Sequence, residues 1–468
     1  MEFIKIILLF LGQFVIGFGL LGFLKLDVKS WMKVGVSVLL GVGVLSLLLL
    51  VLVFCKISLT AGSFNATFLS VALLANISSI KQKFGNYKEL FSGEGGLFRA
   101  IKYYELPMII VIGFVFFVGA WRCYYLPPTP RDLTSGPEVI AEYAVREQRI
   151  DNSVFTVNLE STNNQFKSPY IIMLQMLYKF AGFPFGQVWL CGIVLGFLIF
   201  LYQALARNIH PVLAGALVLW FLCIPEMYAY TVMVLYDYSN AVFFTVGVYF
   251  VYDYLANKRT GGHLILASVM LLLATYVRSE TLVLLPFVLV VYCIAALVWA
   301  KDSVLNVAKQ FAVLFVPSLV IYFVTGSFYL NHYIPQHYDV GGLVNKKLGD
   351  LNPFYTRLSD TIDLVMGNGQ MPYYGNFVNV FFVIFLVDIV LRIFWKKGVE
   401  QIAKEDKVWL LWASGAVLLI VGIAFLGYLL PLMDLNNTTK RALFKVFPFM
   451  LLYCGHSLVL KKITYKLS

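Results

Sequence analysis

Long apolar runs that recur from one end of the chain to the other constrain this sequence more than any other feature. The run VGVSVLLGVGVLSLLLLVLVF, which ends at Phe54, is long enough to cross the apolar core of a bilayer as an α-helix. Apolar residues make up 60% of the 468 residues and charged residues only 13%, which excludes a soluble protein. Outer-membrane barrels are built from short alternating segments, which these continuous runs do not resemble. The sequence therefore predicts an all-α polytopic membrane protein.

The apolar runs predict about thirteen transmembrane helices. We expect the spans at Ile6–Gly22, Val34–Phe54, Leu59–Ile77, Pro107–Trp121, Gln187–Ala206, Pro211–Tyr228, Tyr238–Leu255, Leu264–Val277, Leu282–Trp299, Phe311–Leu330, Phe377–Trp395, Val408–Leu430 and Ala442–Leu460. The shorter run Tyr170–Phe180 is predicted to be re-entrant or interfacial. The first run lacks a signal-peptide cleavage site, so we expect it to remain as a transmembrane helix.

The basic residues predict the orientation of these spans. They fall between alternate spans, at Lys25, Lys29, Lys33, Lys81, Lys83, Lys88, Arg99, Lys102, Arg207, Lys258, Arg259, Lys301, Lys309, Arg392, Lys396, Lys397, Lys404, Lys407, Lys461, Lys462 and Lys466. The positive-inside rule makes this side cytoplasmic, with the amino terminus outside and the carboxyl terminus inside. The net charge of +11 then reflects membrane orientation, and we expect no nucleic-acid partner.

Two long hydrophilic loops, residues 122–168 and 331–376, fall on the predicted outer face. In the first loop Ser135 and Glu138 fit a capping box, and Pro137 suits a first helical turn. The apolar residues that follow share one helical face: Val139, Ile140 and Tyr143. The loop therefore predicts an amphipathic helix lying on the membrane surface. The chain divides, in this interpretation, into an N-terminal three-helix module, 1–105, and a transmembrane core, 106–468.

Charged residues at the predicted outer face are the candidate functional residues. Asp132, beside Arg131, follows the fourth span by about ten residues, where a carboxylate is wet enough to ionise and close enough to the bilayer to act as a general base. A solvated loop charge is the alternative. Asp237 opens a later span, where an acid needs a cation, a metal ion or a polar cavity, or else complements the helix dipole.

Basic residues at the same face are suited to holding an anion. Arg278 and Glu280, in YVRSETL, lie between two apolar runs and either pair with each other or bind an anionic group. Lys440 and Arg441, in NNTTKRALFKVFP, open the last span, where they either bind phosphate or extend toward the membrane surface.

Metal binding is a further alternative. No cofactor is predicted with certainty, and a divalent metal ion at Asp237 is one candidate. His332 and His337, with Asp339, also carry metal-ligating groups, but their spacing matches no standard site.

Taken in order, these segments resemble the membrane glycosyltransferases of the GT-C class, which include aminoarabinose and protein-mannosyl transferases. An outer loop with an early aspartate and an amphipathic helix is followed by KSPYIIMLQMLYKFAG, which resembles the K-x-P segment of that class. An acid then opens a span, RSE stands where relatives have a basic-x-Glu, and TTKRALFKVFP resembles their Thr/Ser-Arg-x-Pro stretch. The resemblance covers about Leu106 to Leu460.

The resemblance implies inverting transfer of a sugar from a polyprenyl-phosphate donor to a glycan, lipid or protein acceptor at the outer, periplasmic face of what we expect to be a bacterial inner membrane. Asp132 is then the base. The substrate-binding residues that the resemblance and the charge pattern suggest are Arg131, Lys167, Asp237, Arg278, Glu280, Lys440 and Arg441. Two alternatives stay open: a polymerase or ligase of lipid-linked glycans, and a flippase or transporter of lipid-linked sugars.

Overall fold

The computed structural model describes residues 2–24, 26–92, 96–97, 101–129, 136–156, 167–183, 186–257, 260–334, 349–367, 374, 376–394, 407–430 and 433–467. All regular structure in these residues is helical. The α-helices are α1 (Glu2–Gly22), α2 (Ser30–Phe54), α3 (Ala61–Ala75), α4 (Ile77–Lys81), α5 (Gly85–Ser92), α6 (Leu106–Tyr125), α7 (Pro137–Glu147), α8 (Tyr170–Phe180), α9 (Trp189–Ala206), α10 (Pro211–Leu222), α11 (Pro225–Tyr230), α12 (Tyr236–Asn257), α13 (Gly261–Val277), α14 (Thr281–Val298), α15 (Val304–Tyr322), α16 (Asn352–Met366), α17 (Phe377–Phe394), α18 (Val408–Leu429), α19 (Val446–His456) and α20 (Leu458–Leu467).

A helix forms at each of the thirteen predicted spans, but they differ in length. Eight helices in the described part of the chain are long and apolar enough to cross a membrane, or up to nine if the bent pair Leu435–His456 and Leu458–Leu467 is one span. Helices α3, α10 and α13 are apolar but shorter. The structure therefore supports a polytopic membrane protein and does not confirm the count of thirteen.

Helix α12 lies at the centre of the bundle. Its residues from Tyr236 to Asp253 are all buried, and it packs against α13 and α14. By contrast, α6 exposes large apolar side chains such as Ile110 and Phe114, which are 68% and 65% exposed. Exposed apolar faces on spanning helices are the surfaces that meet lipid tails.

The amino-terminal helices pack closely on the rest of the bundle. Gly17 and Gly41 allow α1 and α2 to touch, since a Cβ at either position would meet backbone of the other helix at 1.9 Å. The side chain of Gln13 in α1 donates to Tyr178 in α8 at 2.8 Å, and Ser46 in α2 bonds to Tyr276 in α13 at 3.0 Å. The division after residue 105 stays a prediction, and contacts across it are extensive.

Helix α8 is not a surface element. Its residues from Tyr170 to Tyr178 are buried, and it packs between α2 and α7. Neighbouring helices therefore enclose this run, and its predicted re-entrant or interfacial position relative to the membrane stays a prediction.

Hydrogen bonds and ion pairs join separate segments of the chain at each of the two ends of the bundle. At the end where α12 and α14 begin, which we call the site end, Val234 donates its backbone N–H to Thr129 at 3.0 Å. At the opposite end, Tyr202 donates to Glu105 at 2.7 Å and Arg207 pairs with Asp253 at 2.6 Å.

Candidate functional site

Five charged side chains meet at the site end because the helices begin or end there. Asp237 lies in the first turn of α12, Arg278 directly follows α13, and Glu280 directly precedes α14. Arg441 and Lys445 belong to the irregular helical segment that leads into α19. These five residues are the charge cluster.

The members of the charge cluster form one continuous row of ion pairs. Arg278 binds Asp237 Oδ1, and Arg441 Nη1 lies 3.4 Å from Asp237 Oδ2. Arg278 Nη2 lies 2.9 Å from Glu280 Oε2, and Lys445 Nζ lies 3.2 Å from Glu280 Oε1. Each carboxylate is therefore shared by two cations.

The charge cluster carries more positive than negative charge. Three cations surround two carboxylates, which leaves one positive charge uncompensated within the cluster. The side chains of Asp237 and Lys445 are 2% and 1% exposed, while those of Arg278 and Arg441 are 18% and 14% exposed. The buried carboxylates thus orient two guanidinium groups that remain accessible, and such groups bind phosphate or carboxylate well.

The backbone around the cluster is held by Asn240, one turn after Asp237. Its amide donates to the carbonyl of Ala274 and to the hydroxyl of Thr281, both at 2.7 Å. These bonds tie α12, α13 and α14 together beside the cluster. A site built on rigid helix ends keeps its charged groups in fixed positions.

Two tyrosines border the cluster. Lys167 Nζ lies 5.7 Å from the ring centre of Tyr236, and the Tyr236 hydroxyl donates to the carbonyl of Ser168 at 3.1 Å. This places Lys167 next to the start of α12. On another side, burial raises the pKa of Tyr230 to about 12, while Arg441 acts in the opposite direction. Tyr230 is therefore a neutral phenol near the cluster at physiological pH.

Two members of this region are not among the residues predicted from the sequence. Lys445 follows Arg441 by four residues, and this spacing, which places two side chains on one helical face, is the signal that identifies it. Glu226 is the other residue; its carboxylate Oε2 lies 2.5 Å from Lys440 Nζ. The side chain of Lys440 is only 7% exposed, so this lysine is held in an ion pair and is less accessible than Arg441.

Helix α7 is held against the bundle by a second group of charges at the site end. Lys179 Nζ lies 2.6 Å from Glu138 and 2.8 Å from Glu142, and Gln175 also donates to Glu138. Burial raises the pKa of Glu138 despite the opposing charge of Lys179. Burial also acts to raise the pKa of Glu142, but hydrogen bonds and charges from Lys179 and Arg146 outweigh it and lower this pKa.

The predicted capping box of Ser135 and Glu138 stays a prediction, because Ser135 lies outside the described residues. Helix α7 begins at Pro137, with Gly136 at the N-cap position. Glu138 reaches toward Lys179, because an ion pair with a nearly buried lysine competes for the carboxylate. Pro137 does occupy the first helical turn, as predicted.

Several predicted site residues lie outside the described part of the chain: Arg131, Asp132, His337 and Asp339. His332 is described; its ring lies 4.4 Å from that of Phe328 and its Nδ1 lies 2.9 Å from the Phe328 carbonyl. Among the described residues, no group of three or more His, Cys, Asp or Glu side chains could hold a metal ion. Both oxygens of Asp237 contact arginines, so a metal ion there would have to displace them.

Comparison of the chain with protein-family models, with curated proteins and with solved structures finds no match. The charge cluster, with its partly exposed arginines, is therefore the feature of this protein that indicates a function.

Proposed function

We propose that this protein is an inverting membrane glycosyltransferase of the GT-C type, which moves a sugar from a polyprenyl-phosphate donor to an acceptor at the membrane surface. The observation that carries the proposal is the charge cluster: its two accessible guanidinium groups and uncompensated positive charge suit an anionic leaving group. A lipid phosphate is such a group, and it reaches the protein at the level of helix ends.

Arg278 and Arg441 have the roles of phosphate ligands in this proposal. Each donates to a buried oxygen of Asp237 and has further N–H groups that this carboxylate does not occupy. Asp237 orients both arginines, which agrees with the supporting role expected for an acid at the start of a span. Glu280 and Lys445 complete the row of charges, and Lys167 is positioned at its edge.

Asp132 has the role of the general base. Support comes from its neighbour Thr129, whose carbonyl accepts a hydrogen bond from Val234, three residues before Asp237. Asp132 follows Thr129 by three residues in the chain. The base takes the proton of the acceptor hydroxyl as its oxygen bonds to the anomeric carbon, and the bond from that carbon to the phosphate oxygen breaks. The cations stabilise the departing lipid phosphate.

The two alternative functions predict different substrates. A polymerase or ligase of lipid-linked glycans would release a lipid pyrophosphate, and a flippase would release no product. Asp237 and Asp253 lie near the two ends of α12, away from the middle of the helix. Transporters more often place such acids at broken helices near the membrane midplane, so these two acids favour the enzyme, whereas Asp388, which bonds to Leu458 at the bend between α19 and α20, does not.

One assay distinguishes these functions. The purified protein in lipid is given polyprenyl-phosphate sugars, polyprenyl-pyrophosphate sugars and candidate acceptors, and the released lipid product is measured. We expect release of lipid monophosphate together with glycosylated acceptor. Release of lipid pyrophosphate supports the polymerase, and movement of donor across the bilayer with no product supports the flippase.

The base is tested by Asp132→Asn, which keeps nearly the same shape but cannot take a proton. Turnover should fall by about a hundredfold or more, the usual contribution of a positioned base. Expression and donor binding should stay at the level of the unsubstituted protein. Wild-type turnover with both substrates saturating would move the base to another acid, with Asp237 and Glu280 as the next candidates.

We also propose that the site end faces the periplasm of a bacterial inner membrane, with the amino terminus outside and the carboxyl terminus in the cytoplasm. Cysteines introduced singly at Ser135 and at Lys88, in a background without native cysteines, test the orientation. In sealed cells an impermeant thiol reagent should label Ser135→Cys and leave Lys88→Cys unlabelled. The reverse labelling pattern would overturn this topology.

A further inference from the structure

A cavity of about 530 Å³ opens at the opposite end of the bundle, away from the charge cluster. It lies between the start of α2, the start of α6 and the end of α9. Lys29, Glu105 and Tyr202 line the part nearest the helix ends, and the apolar residues Ile112 and Ile199 line the part that extends inward. The cavity is therefore polar at one end and apolar along its length.

The apolar part of the cavity is about two thirds as deep as one membrane leaflet. Along α6 it extends from the helix start at Leu106 to Gly113, and along α9 it extends from Tyr202 back to Leu195. Seven residues of helix correspond to about 10 Å, and one leaflet of the apolar core is about 15 Å thick. On the neighbouring face of α6, the side chains of Ile110, Phe114 and Phe117 are more than half exposed. The cavity thus borders the lipid-facing surface.

The polar end of the cavity carries one cation without a partner. The carboxylate of Glu105 accepts hydrogen bonds from the Tyr202 hydroxyl at 2.7 Å and from the backbone N–H of Lys102 at 2.9 Å. The exposed side chain of Lys29 has no ion-pair partner among the described residues. Lys29 is also the N-cap residue of α2 and makes no side-chain cap hydrogen bond, so the first amides of this 25-residue helix are left without a side-chain acceptor.

We propose that this cavity binds one anionic glycerophospholipid, whose phosphate lies at Lys29 and the start of α2 and whose acyl chain fills the apolar part. An acyl chain that fills an apolar cavity beside lipid tails gains van der Waals contacts with the cavity wall, which an empty cavity lacks. A lysine near the membrane surface attracts an anionic headgroup, and the other charged group of the lining, the Glu105 carboxylate, is already bonded to Tyr202 and to the Lys102 N–H. The cavity shares no residue with the charge cluster, so the inference does not depend on glycosyl transfer.

Gly113 provides the test of the acyl-chain site. A Cβ added there would meet nothing within 4 Å, so Gly113→Leu should fill the cavity without a clash, and Gly113→Ala should leave most of it open. Native mass spectrometry of the full chain in detergent, with phosphatidylglycerol added, measures the bound lipid. We expect Gly113→Leu to weaken binding at least about tenfold, since its side chain takes the space of several methylenes and removes their contacts with the cavity wall, and Gly113→Ala to change it by less than about twofold.

Lys29 provides the test of the headgroup site. Lys29→Gln should weaken binding of phosphatidylglycerol about fivefold, the effect of one basic residue near an anionic lipid, and should not change binding of phosphatidylcholine. Lys33→Gln, on the same helix but outside the cavity, is the matched control and should have little effect.

Different results would overturn the acyl-chain site and the headgroup site. Equal lipid retention by folded Gly113→Leu and the unsubstituted protein would overturn the acyl-chain site, with folding checked by helical circular dichroism and gel filtration. Equal affinity of the unsubstituted protein for phosphatidylglycerol and phosphatidylcholine would overturn the anionic headgroup. If Gly113→Leu does not fold, Lys29→Gln decides: unchanged phosphatidylglycerol binding in this variant overturns the site.

Discussion

Two groups of buried charges, at opposite ends of the bundle, differ in how completely their charges are compensated. The charge cluster at the site end has three cations for two carboxylates, and its two arginines remain partly exposed. Near the opposite end, Asp388 in α17 has one cation, Arg392, at 2.9 Å. The same carboxylate also accepts from the Tyr453 hydroxyl at 2.7 Å and from the backbone N–H of Leu458 at 2.6 Å.

The group at the opposite end, Asp388 with its three donors, is closed to a ligand. Asp388 is fully buried, and Arg392 covers the ring of Trp409, with its Cζ 4.1 Å from the ring centre, while also donating to the His456 carbonyl. These bonds hold the 51° bend between α19 and α20. A group whose donors and acceptors are all used serves to fix a bend, whereas one with accessible donors and excess charge can bind an anion.

Removing Asp388 should have the largest effect on stability. Asp388→Ala leaves Arg392 without its partner and Leu458 N–H without an acceptor, which typically costs about 3–5 kcal/mol in free energy of unfolding. Thermal or denaturant unfolding in detergent measures this, with turnover per folded molecule expected to stay unchanged. The matched control is Asp151→Ala, because Asp151 is 58% exposed and pairs only loosely with Arg149 at 3.8 Å. Similar stability of the two variants would contradict a closed structural role for Asp388.

Removing an arginine of the charge cluster should weaken donor binding. The expected loss of binding free energy is smaller than the loss of stability expected for Asp388→Ala. Arg441→Ala or Arg278→Ala should weaken binding of the polyprenyl-phosphate sugar by about 1.5–3 kcal/mol, the usual value for a hydrogen bond to a charged group. Arg441→Lys should restore only part of the affinity, because lysine lacks the planar fork. Equilibrium binding of labelled donor measures both, and Arg392→Ala should leave the affinity of folded protein unchanged. Unchanged donor affinity in both alanine variants would move the phosphate site to Lys167 or Lys440.

The smallest effect on stability is expected for substitutions that loosen α7, where two cations pair with the same acid. Lys179 and Arg146 both contact Glu142, but their side chains are 5% and 67% exposed. Lys179→Ala should therefore lower the free energy of opening α7 by about 2 kcal/mol, because Glu138 also loses its partner. Arg146→Ala should cost less than about 0.5 kcal/mol, as is typical of exposed pairs. Hydrogen exchange of α7 amides measures both, and equal exchange in the two variants would show that Lys179 does not hold the helix.

Much of the charge cluster could be predicted from the sequence, because charged residues between apolar runs stand out. Asp237, Arg278, Glu280 and Arg441 were all selected on that basis, and the structure brings them together. Lys445 was hidden inside the apolar stretch FKVFPFM, where a single lysine resembles an end of a span. Asp388 gave no functional signal either, since a lone acid in an apolar helix does not reveal which donors will surround it.

The sequence alone determined that the chain is helical and membrane-embedded, because apolar runs of spanning length permit no other way to satisfy the backbone in lipid. It also placed a helix at each predicted span, although some ends differ by several residues: the span predicted to begin at Phe311 begins at Val304. Only the tertiary structure decided that α8 is enclosed, that Lys440 pairs with Glu226, and that Arg278 and Arg441 share Asp237. The physical reason is that hydropathy is a property of each segment, whereas the partner of a buried charge depends on which helix ends meet. Asp237 and Arg441 are 204 residues apart in the chain, and Glu226 and Lys440 are still further apart.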